Sequence, residues 1–301
     1  MPDSGRCSVA SANRQEAVAG TAPAARRWVL IEHPGPWDRQ ALETPPFKGD
    51  LGQRLSTALD AYAASLLLVR RTGRQVPGEA RIWRVVDTAT GMSLTGSWRT
   101  DSDLEALLPA LAGCAGPLSE PAPLMVMVCT HGTRDACCAI KGRPIAGAVA
   151  RALPDVEVWE CTHLGGHRFA GTALVLPDGA CYGRLDQLDA AKVLAGHLRG
   201  EVRADKLRGV TWLVPAAQAA HAWGLQQLTA SGPAALADVS IGAVVDAGDD
   251  VTRVEVVGLR PHDEGLWVEV RRHDLVEAPL SCGKAPESTS GWTVEAPVAV
   301  S

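Results

Sequence analysis

Short apolar runs that end at glycine, proline or charged residues recur along the chain, and these runs predict its strands. The predicted strands are RWVLIE (27–32), LLLV (66–69), IWRVVD (82–87), MSLTGSW (92–98), LMVMV (124–128) and VEVWEC (156–161), followed by a hairpin of TALVL and ACYGRL around PDG (172–185). Apolar residues at three- and four-residue steps predict helices that begin at Asp50, Asp101, Arg143 and Asp186, with Pro144 in the first turn of the third.

The order strand, helix, strand, strand, strand, helix occurs twice between residues 27 and 198. This order is typical of a mixed sheet flanked by helices. We therefore predict an α/β protein with tandem thioredoxin-like domains and a C-terminal α+β extension. The predicted segments are a flexible N-terminal arm (1–26), an N-terminal thioredoxin-like domain (27–120), a second thioredoxin-like domain (121–204) and an extension of a helix plus a β-hairpin with an irregular end (205–301).

Composition narrows the class of function. The chain has 301 residues, 46% of them apolar, so it can bury ordinary hydrophobic cores. A net charge of -5 offers no basic surface for nucleic acid, so we expect no such partner. The start lacks a signal-peptide core and no apolar run approaches the ~20 residues that span a bilayer, so we expect a cytoplasmic protein without a membrane partner. Eight cysteines in a reducing compartment favour metal binding or redox chemistry over disulfides.

Metal-capable side chains are concentrated in two loops that each follow a predicted strand. They are Cys129, His131, Cys137, Cys138, Cys161, His163 and His167. Thiolate and imidazole together suit zinc or an iron-sulfur centre. Eight residues separate Cys129 from Cys138, which is wider than the usual zinc knuckle and counts against a zinc finger. Cys161 and Cys181 lie in apolar strands and are expected in the core, whereas Cys7, alone in the arm, has no expected role.

The second loop also suits a bulky inorganic group. Three residues separate His163 from His167, which makes these histidines a plausible second ligand pair beside the cysteines. Gly165 and Gly166, which lie between them, can take positive φ angles at little cost and let the backbone curl closely around such a group.

The motifs CTHGTRDACCA, WECTHLGGHRFAG and LPDGACYGRL resemble those of the sucrase/ferredoxin-like proteins, and the likeness extends to RWVLIEHPGPW and PLSCGK. The resemblance implies a [2Fe-2S] cluster in the second thioredoxin-like domain. The first domain is expected to hold no cluster, because its sequence has no group of metal-capable residues. The cysteine and histidine spacing of that family implies Cys129, Cys138, His163 and His167 as cluster ligands. Cys137 is adjacent to Cys138, and the sequence alone leaves either in the ligand position; the family spacing favours Cys138.

Other residues of the two loops are expected to support the site. His131 is expected to hydrogen-bond within its loop, Arg134 and Asp135 to form a local ion pair, and Arg168 to donate to the loop backbone or to a partner. Cys137 is expected as a small buried thiol, and all of these residues are candidates for surrounding the cluster.

The function implied is that of a one-electron carrier, a ferredoxin with an unknown redox partner protein, and this is favoured over an enzyme. Two alternatives stay open at this point. One is a thioredoxin-like thiol oxidoreductase that uses Cys137 or Cys138, although the usual Cys-x-x-Cys arrangement is missing. The other is a structural protein that binds zinc in place of the cluster.

Overall fold

The first half of the main sheet follows a short N-terminal helix. The structure, a computed structural model, describes residues 6–73, 80–114, 116–117, 119–259 and 265–295. The elements of this half are α1 (Cys7–Asn13), β1 (Arg27–Glu32), α2 (Asp50–Ala61), β2 (Ala64–Arg71), β3 (Arg81–Asp87), β4 (Met92–Trp98), α3 (Leu107–Gly113) and the two-residue β5 (Glu120–Pro121). Strand β1 is parallel to β2 and antiparallel to β3, and β3 is antiparallel to β4.

The second half repeats this arrangement. Its elements are β6 (Met125–Cys129), α4 (Ala136–Ala152), β7 (Glu157–Cys161), β8 (Ala173–Leu176), β9 (Ala180–Tyr182), α5 (Ala190–Leu198) and the added strand β10 (Leu207–Val210). Strand β6 is parallel to β7 and antiparallel to β8, and β8 is antiparallel to β9. The two four-stranded units therefore have the same topology, as the repeated element order predicts.

Antiparallel pairing of β2 with β7 joins the two units into one ten-stranded sheet of order β10-β9-β8-β6-β7-β2-β1-β3-β4-β5. All five residues of β6 are buried, because Val126 and Val128 pack into one apolar core and Met125, Met127 and Cys129 into another. The predicted fold class, a mixed α/β sheet flanked by helices, is confirmed. The division of the chain at residues 26, 120 and 204 stays a prediction.

The C-terminal part is larger than the predicted helix plus hairpin. It contains α6 (Pro215–Thr229) and a four-stranded antiparallel sheet of β11 (Ser240–Gly248), β12 (Val251–Val257), β13 (Leu266–Pro279) and β14 (Pro286–Glu295). The predicted hairpin corresponds to the two central strands, and its turn at 260–264 lies outside the described residues. The expectation of an irregular end is wrong for residues 286–295, and residues 296–301 lie outside the described part.

The N-terminal segment also differs from the expected loose arm, as far as it is described. Residues 6–26 begin with α1, whose Cys7 is 0% exposed. The backbone N–H groups of Thr21 and Ala25 donate to the carbonyl oxygens of Arg208 and Thr211. The segment is thus tied to the second half of the chain by hydrogen bonds that its local composition does not reveal. Residues 1–5 lie outside the described part. Within the described residues, no helix combines the length and the apolar character that a bilayer crossing requires.

Candidate metal centre

The two loops that carry the candidate ligands leave the same edge of the sheet. Strands β6 and β7 are parallel neighbours, and Cys129 lies opposite Cys161 in their register. Parallel neighbours end on the same side, so the loop after β6 and the loop after β7 begin next to each other. The topology therefore brings together the two segments in which the sequence places its metal-capable side chains.

The loop after β6 is shorter than predicted, because helix α4 begins at Ala136 and not at Arg143. The side chain of Asp135 accepts a hydrogen bond from the backbone N–H of Cys137 at 2.8 Å and so caps the helix. Pro144 consequently lies inside the helix and not in its first turn. The correction matters for the site, since Cys137 and Cys138 become neighbours on the first turn of a helix.

Three sulfur and nitrogen ligand atoms gather at this edge. The Sγ atoms of Cys129 and Cys138 and a ring nitrogen of His163 all lie within 4.8 Å of one another. The distance from Cys138 Sγ to His163 Nδ1 is 4.0 Å. His167 Nδ1 is 3.3 Å from His163 Nε2, and the two rings have centroids 4.9 Å apart. All four residues implied by the family spacing therefore lie at one place.

Cys137 faces a different group of side chains. Its Sγ lies 3.1 Å from Cys282 Sγ and 3.8 Å from Cys7 Sγ, and it accepts a hydrogen bond from Ser8 Oγ at 3.3 Å. Consecutive residues on an α-helix project about 100° apart, so the first turn of α4 sends its two thiols in different directions. Cys138, and not Cys137, points toward Cys129 and the histidine loop.

The electrostatics favour the metal-binding forms of Cys129 and His167, and oppose ionisation of Cys138. The hydrogen bond from the Cys138 thiol lowers the pKa of Cys129 well below its ordinary value despite burial, and His163 adds to this effect. The same hydrogen bond, with burial, raises the pKa of Cys138. Burial lowers the pKa of His167 to about 4, so its imidazole is neutral at neutral pH. Thiolate and neutral imidazole are the forms that bind metal.

The two glycines of the histidine loop are in the conformation that the sequence suggests. Gly165 and Gly166 have φ angles of 68° and 58°, in the left-handed region that favours glycine. A Cβ on Gly166 would lie 2.5 Å from Nη2 of Arg208, so a larger residue would displace that guanidinium as well as strain the backbone. The loop therefore passes closely over a buried arginine.

Arg208 is a site residue that the sequence analysis does not single out. It is 1% exposed and donates hydrogen bonds to the carbonyl oxygens of Leu164 and Gly165 at 3.3 and 3.1 Å. It also donates to the carbonyl oxygen and the hydroxyl of Thr21 and to Cys181 Sγ. Its guanidinium thus holds the loop that carries both histidines, and only the non-local packing of β10 reveals this role.

The remaining candidates occupy supporting positions. His131 is buried and its Nε2 lies 2.8 Å from the carbonyl oxygen of Asp38, so its ring bonds to the segment after β1 and not within its own loop as expected. Burial lowers the pKa of His131, which favours its neutral form. Cys161 and Cys181 are 0% exposed, as predicted for core thiols, and burial raises the pKa of both.

The charged residues of the loops differ from expectation. Asp135 accepts hydrogen bonds from the N–H of Cys282 at 2.7 Å and from Ser281 Oγ, and no ion pair with Arg134 occurs within the described ranges. Arg168 pairs with Glu16 at 2.6 Å and not with the loop backbone. Both results follow from the N- and C-terminal segments, which pack over the site and supply closer partners.

The donor set fits an iron-sulfur group. Two cysteine sulfurs and two histidine rings are soft and borderline ligands of the kind that bind zinc or [2Fe-2S] clusters. The thiols are 1% exposed, whereas both histidines are partly exposed, so the site has a buried sulfur side and an accessible imidazole side.

Comparison with known proteins gives three findings. The family described as sucrase/ferredoxin-like matches residues 18–209. A stretch of 95 residues is 28% identical to altered inheritance of mitochondria protein 32 from Meyerozyma guilliermondii, and the match spans 28% of this chain but only 34% of that protein. Among solved structures, a cysteine-to-serine variant of the thioredoxin-like [2Fe-2S] ferredoxin from Aquifex aeolicus aligns with a TM-score of 0.25 and 20% identity, over 28% of this chain and 96% of that one.

Proposed function

The chain belongs to the sucrase/ferredoxin-like family, and we propose that it is a one-electron carrier that holds a [2Fe-2S] cluster on Cys129, Cys138, His163 and His167. The observation that supports this proposal best is the direction of the twin cysteines. Cys138 faces Cys129 and His163, whereas Cys137 faces away toward other thiols. The chain thereby offers two thiols and two imidazoles, the donor set of centres in which two histidines replace two cysteines on one iron.

This ligand set decides the charge of the site. Two thiolates balance the formal charge of two ferric ions and two sulfides, whereas four thiolates would leave two negative charges in excess. When bound, such a group accepts and releases single electrons. Neutral imidazole ligands favour acceptance, so we expect a midpoint potential above that of plant-type ferredoxins. The neutral state of His167, which burial favours, suits this role.

The protein contributes position and surroundings. Arg208 holds the histidine loop by its carbonyl oxygens, and its positive charge lies in a buried environment beside that loop. The carboxylate of Asp135 lies 4.0 Å from Nε2 of His167, which is too long for a hydrogen bond, so the carboxylate acts on this ring by its charge. Because the imidazole side of the site is the more accessible one, we propose that a partner redox protein exchanges electrons there.

Paired cysteine variants test the ligand assignment. Full-length protein purified without oxygen is assayed for iron, acid-labile sulfide and visible absorption. Replacing Cys138 by Ser is expected to abolish the cluster, because one of two thiolate ligands is lost. Replacing the neighbouring Cys137 by Ser is the matched control and is expected to leave iron and colour in place. Loss of the cluster only in the Cys137 variant would contradict the assignment.

The same preparations separate the alternatives. A thiol oxidoreductase would lose disulfide-exchange activity, and not iron, on replacement of Cys138. A zinc protein at this site would be free of iron and colourless, with its zinc lost on replacement of Cys129 or Cys138.

A further inference from the structure

A second group of ligand atoms lies beside the first. It consists of the thiols of Cys7, Cys137 and Cys282 with the carboxylate of Asp135, whose ligand atoms all lie within 4.8 Å of one another. We call it the three-thiol group. Its members come from α1, from the start of α4 and from the loop between β13 and β14, so more than 120 residues separate Cys7 from Cys137 and again Cys137 from Cys282. Only the packing of both terminal segments over the second half of the sheet creates this group.

Two of the three distances within the three-thiol group suit a single tetrahedral ion, and the third is shorter than such an ion would set. The three Sγ to Sγ distances are 3.8 Å for Cys7 to Cys137, 3.6 Å for Cys7 to Cys282 and 3.1 Å for Cys137 to Cys282. A zinc ion with Zn–S bonds of about 2.3 Å spaces its sulfur ligands about 3.8 Å apart along the tetrahedron edges. All three separations exceed the about 2.05 Å of a disulfide, and the cysteines are free thiols.

The carboxylate of Asp135 supplies a fourth oxygen ligand. Both of its oxygens lie 3.8 Å from Cys7 Sγ. The backbone N–H groups of Cys137 and Cys282 and the hydroxyl of Ser281 hold the carboxylate in place. An ionised carboxylate has about four lone-pair sites, so these bonds leave capacity for a metal. The position of the fourth ligand is therefore fixed before any ion binds.

Most of the three-thiol group is buried, but one thiol reaches the surface. Cys7 and Cys137 are 0% and 1% exposed, while Cys282 is half-buried and gives an ion a route from solvent. A disulfide would use two of the three thiols and leave the third and the carboxylate without a role. Three sulfurs and one carboxylate oxygen that all lie within 4.8 Å of one another match the ligand types and the ligand number of zinc.

We propose that Cys7, Cys137, Cys282 and Asp135 bind one Zn²⁺ ion, separate from the [2Fe-2S] site and serving a structural purpose. The ion cross-links the N-terminal helix and the C-terminal sheet to the first turn of α4, whose next residue is the cluster ligand Cys138. It also fixes Asp135, which faces His167. This proposal goes beyond the electron-transfer function and does not depend on it, because its ligands are a different set.

The zinc content of the full-length protein tests the proposal. Cells are grown with added zinc, and the purified wild-type chain is assayed for zinc and iron together. We expect one zinc per chain that survives dialysis against a weak chelator, with zinc X-ray absorption showing three sulfurs at about 2.3 Å and one oxygen at about 2.0 Å. Wild-type protein without zinc, or with zinc bound by nitrogen, would overturn the proposal, as would a disulfide between Cys137 and Cys282 found by mass spectrometry.

Variants assign the zinc to these residues. The double variant with Cys7→Ser and Cys282→Ser is expected to lose the zinc while keeping its iron and visible absorption. Cys114→Ser is the matched control, since Cys114 is equally buried but lies in the first half of the chain, where its thiol donates to the carbonyl oxygen of Val85. Zinc retained by the double variant would contradict the assignment. Iron content reports separately on the [2Fe-2S] proposal, so failure of either proposal is distinguishable from failure of the other.

Discussion

Replacement of Arg208 by Met tests how the histidine loop is held in place. The side chain is fully buried and donates to three backbone carbonyl oxygens, those of Thr21, Leu164 and Gly165. No carboxylate within the described part of the chain forms an ion pair with it. Methionine has a similar length but no donor, so the variant leaves those carbonyl groups unpaired in a buried place.

The magnitude follows from two opposing contributions. Each unsatisfied buried acceptor costs about 1–3 kcal/mol, which for three carbonyl groups suggests about 3–9 kcal/mol. Removing a buried cation recovers part of this, because keeping a charge out of water costs several kcal/mol. We therefore expect a net loss of about 2–4 kcal/mol in the free energy of unfolding. The positive charge of Arg208 stabilises the reduced site, which carries one more negative charge than the oxidised site. Loss of this positive charge should therefore also lower the midpoint potential.

Urea unfolding followed by circular dichroism measures the change as a lower midpoint at an unchanged slope. Arg203→Met is the matched control, because Arg203 is about half exposed in an ion pair with Asp205, and such pairs contribute about 0–1 kcal/mol. If Arg208→Met unfolded at the wild-type urea concentration and kept its potential, the role given to Arg208 would be refuted.

Three further predictions concern packing, acid and proton coupling. Gly142→Ala should destabilise the fold by about 1–3 kcal/mol and reduce bound iron, because its Cβ would lie 1.9 Å from the carbonyl oxygen that ends β6. Gly147→Ala on the same helix is the control, and it should be neutral or stabilising in the same urea unfolding experiment. Asp87→Asn should cost about 1–3 kcal/mol. Burial opposes ionisation of Asp87, but Arg27 and neighbouring N–H groups lower its pKa. The stability that its carboxylate contributes is therefore present above the ordinary pKa of aspartate and is lost as acid protonates Asp87. The same loss of stability with falling pH in variant and wild type would contradict this. The midpoint potential should fall as pH rises, because oxidation of a bound cluster favours loss of the proton from the ring nitrogen of each histidine that is not bound to iron. A flat potential between about pH 6 and 10 would exclude that coupling.

The sequence predicts the parts of the site that local pattern determines. Cys129 ends an apolar run that becomes β6. The two glycines after His163 have the left-handed conformations that glycine adopts at little cost. The choice between Cys137 and Cys138 depends on where α4 begins. Asp135 before a helix-forming run is an N-cap signal that gives this start, and with it the different directions of the two thiols.

Features set by non-local packing could not be predicted. Cys7 and Cys282 acquire neighbours only when both terminal segments fold over the second half of the sheet. The helix predicted from Asp186 would include Leu188, yet this residue is 95% exposed because α5 begins at Ala190 after a turn. The edge strands β11 and β14 are largely exposed and rich in small or polar residues, so they lack the apolar alternation by which strands are found.

The central claim is that two thiolates and two imidazoles bind a [2Fe-2S] cluster. Electron paramagnetic resonance of the reduced full-length protein, with pulsed detection of nitrogen couplings, tests it most directly. We predict the signal of one reduced cluster with couplings from histidine nitrogens, and loss of those couplings when His163 and His167 are both replaced by Cys. A cluster without nitrogen coupling, or protein without iron, would contradict the account.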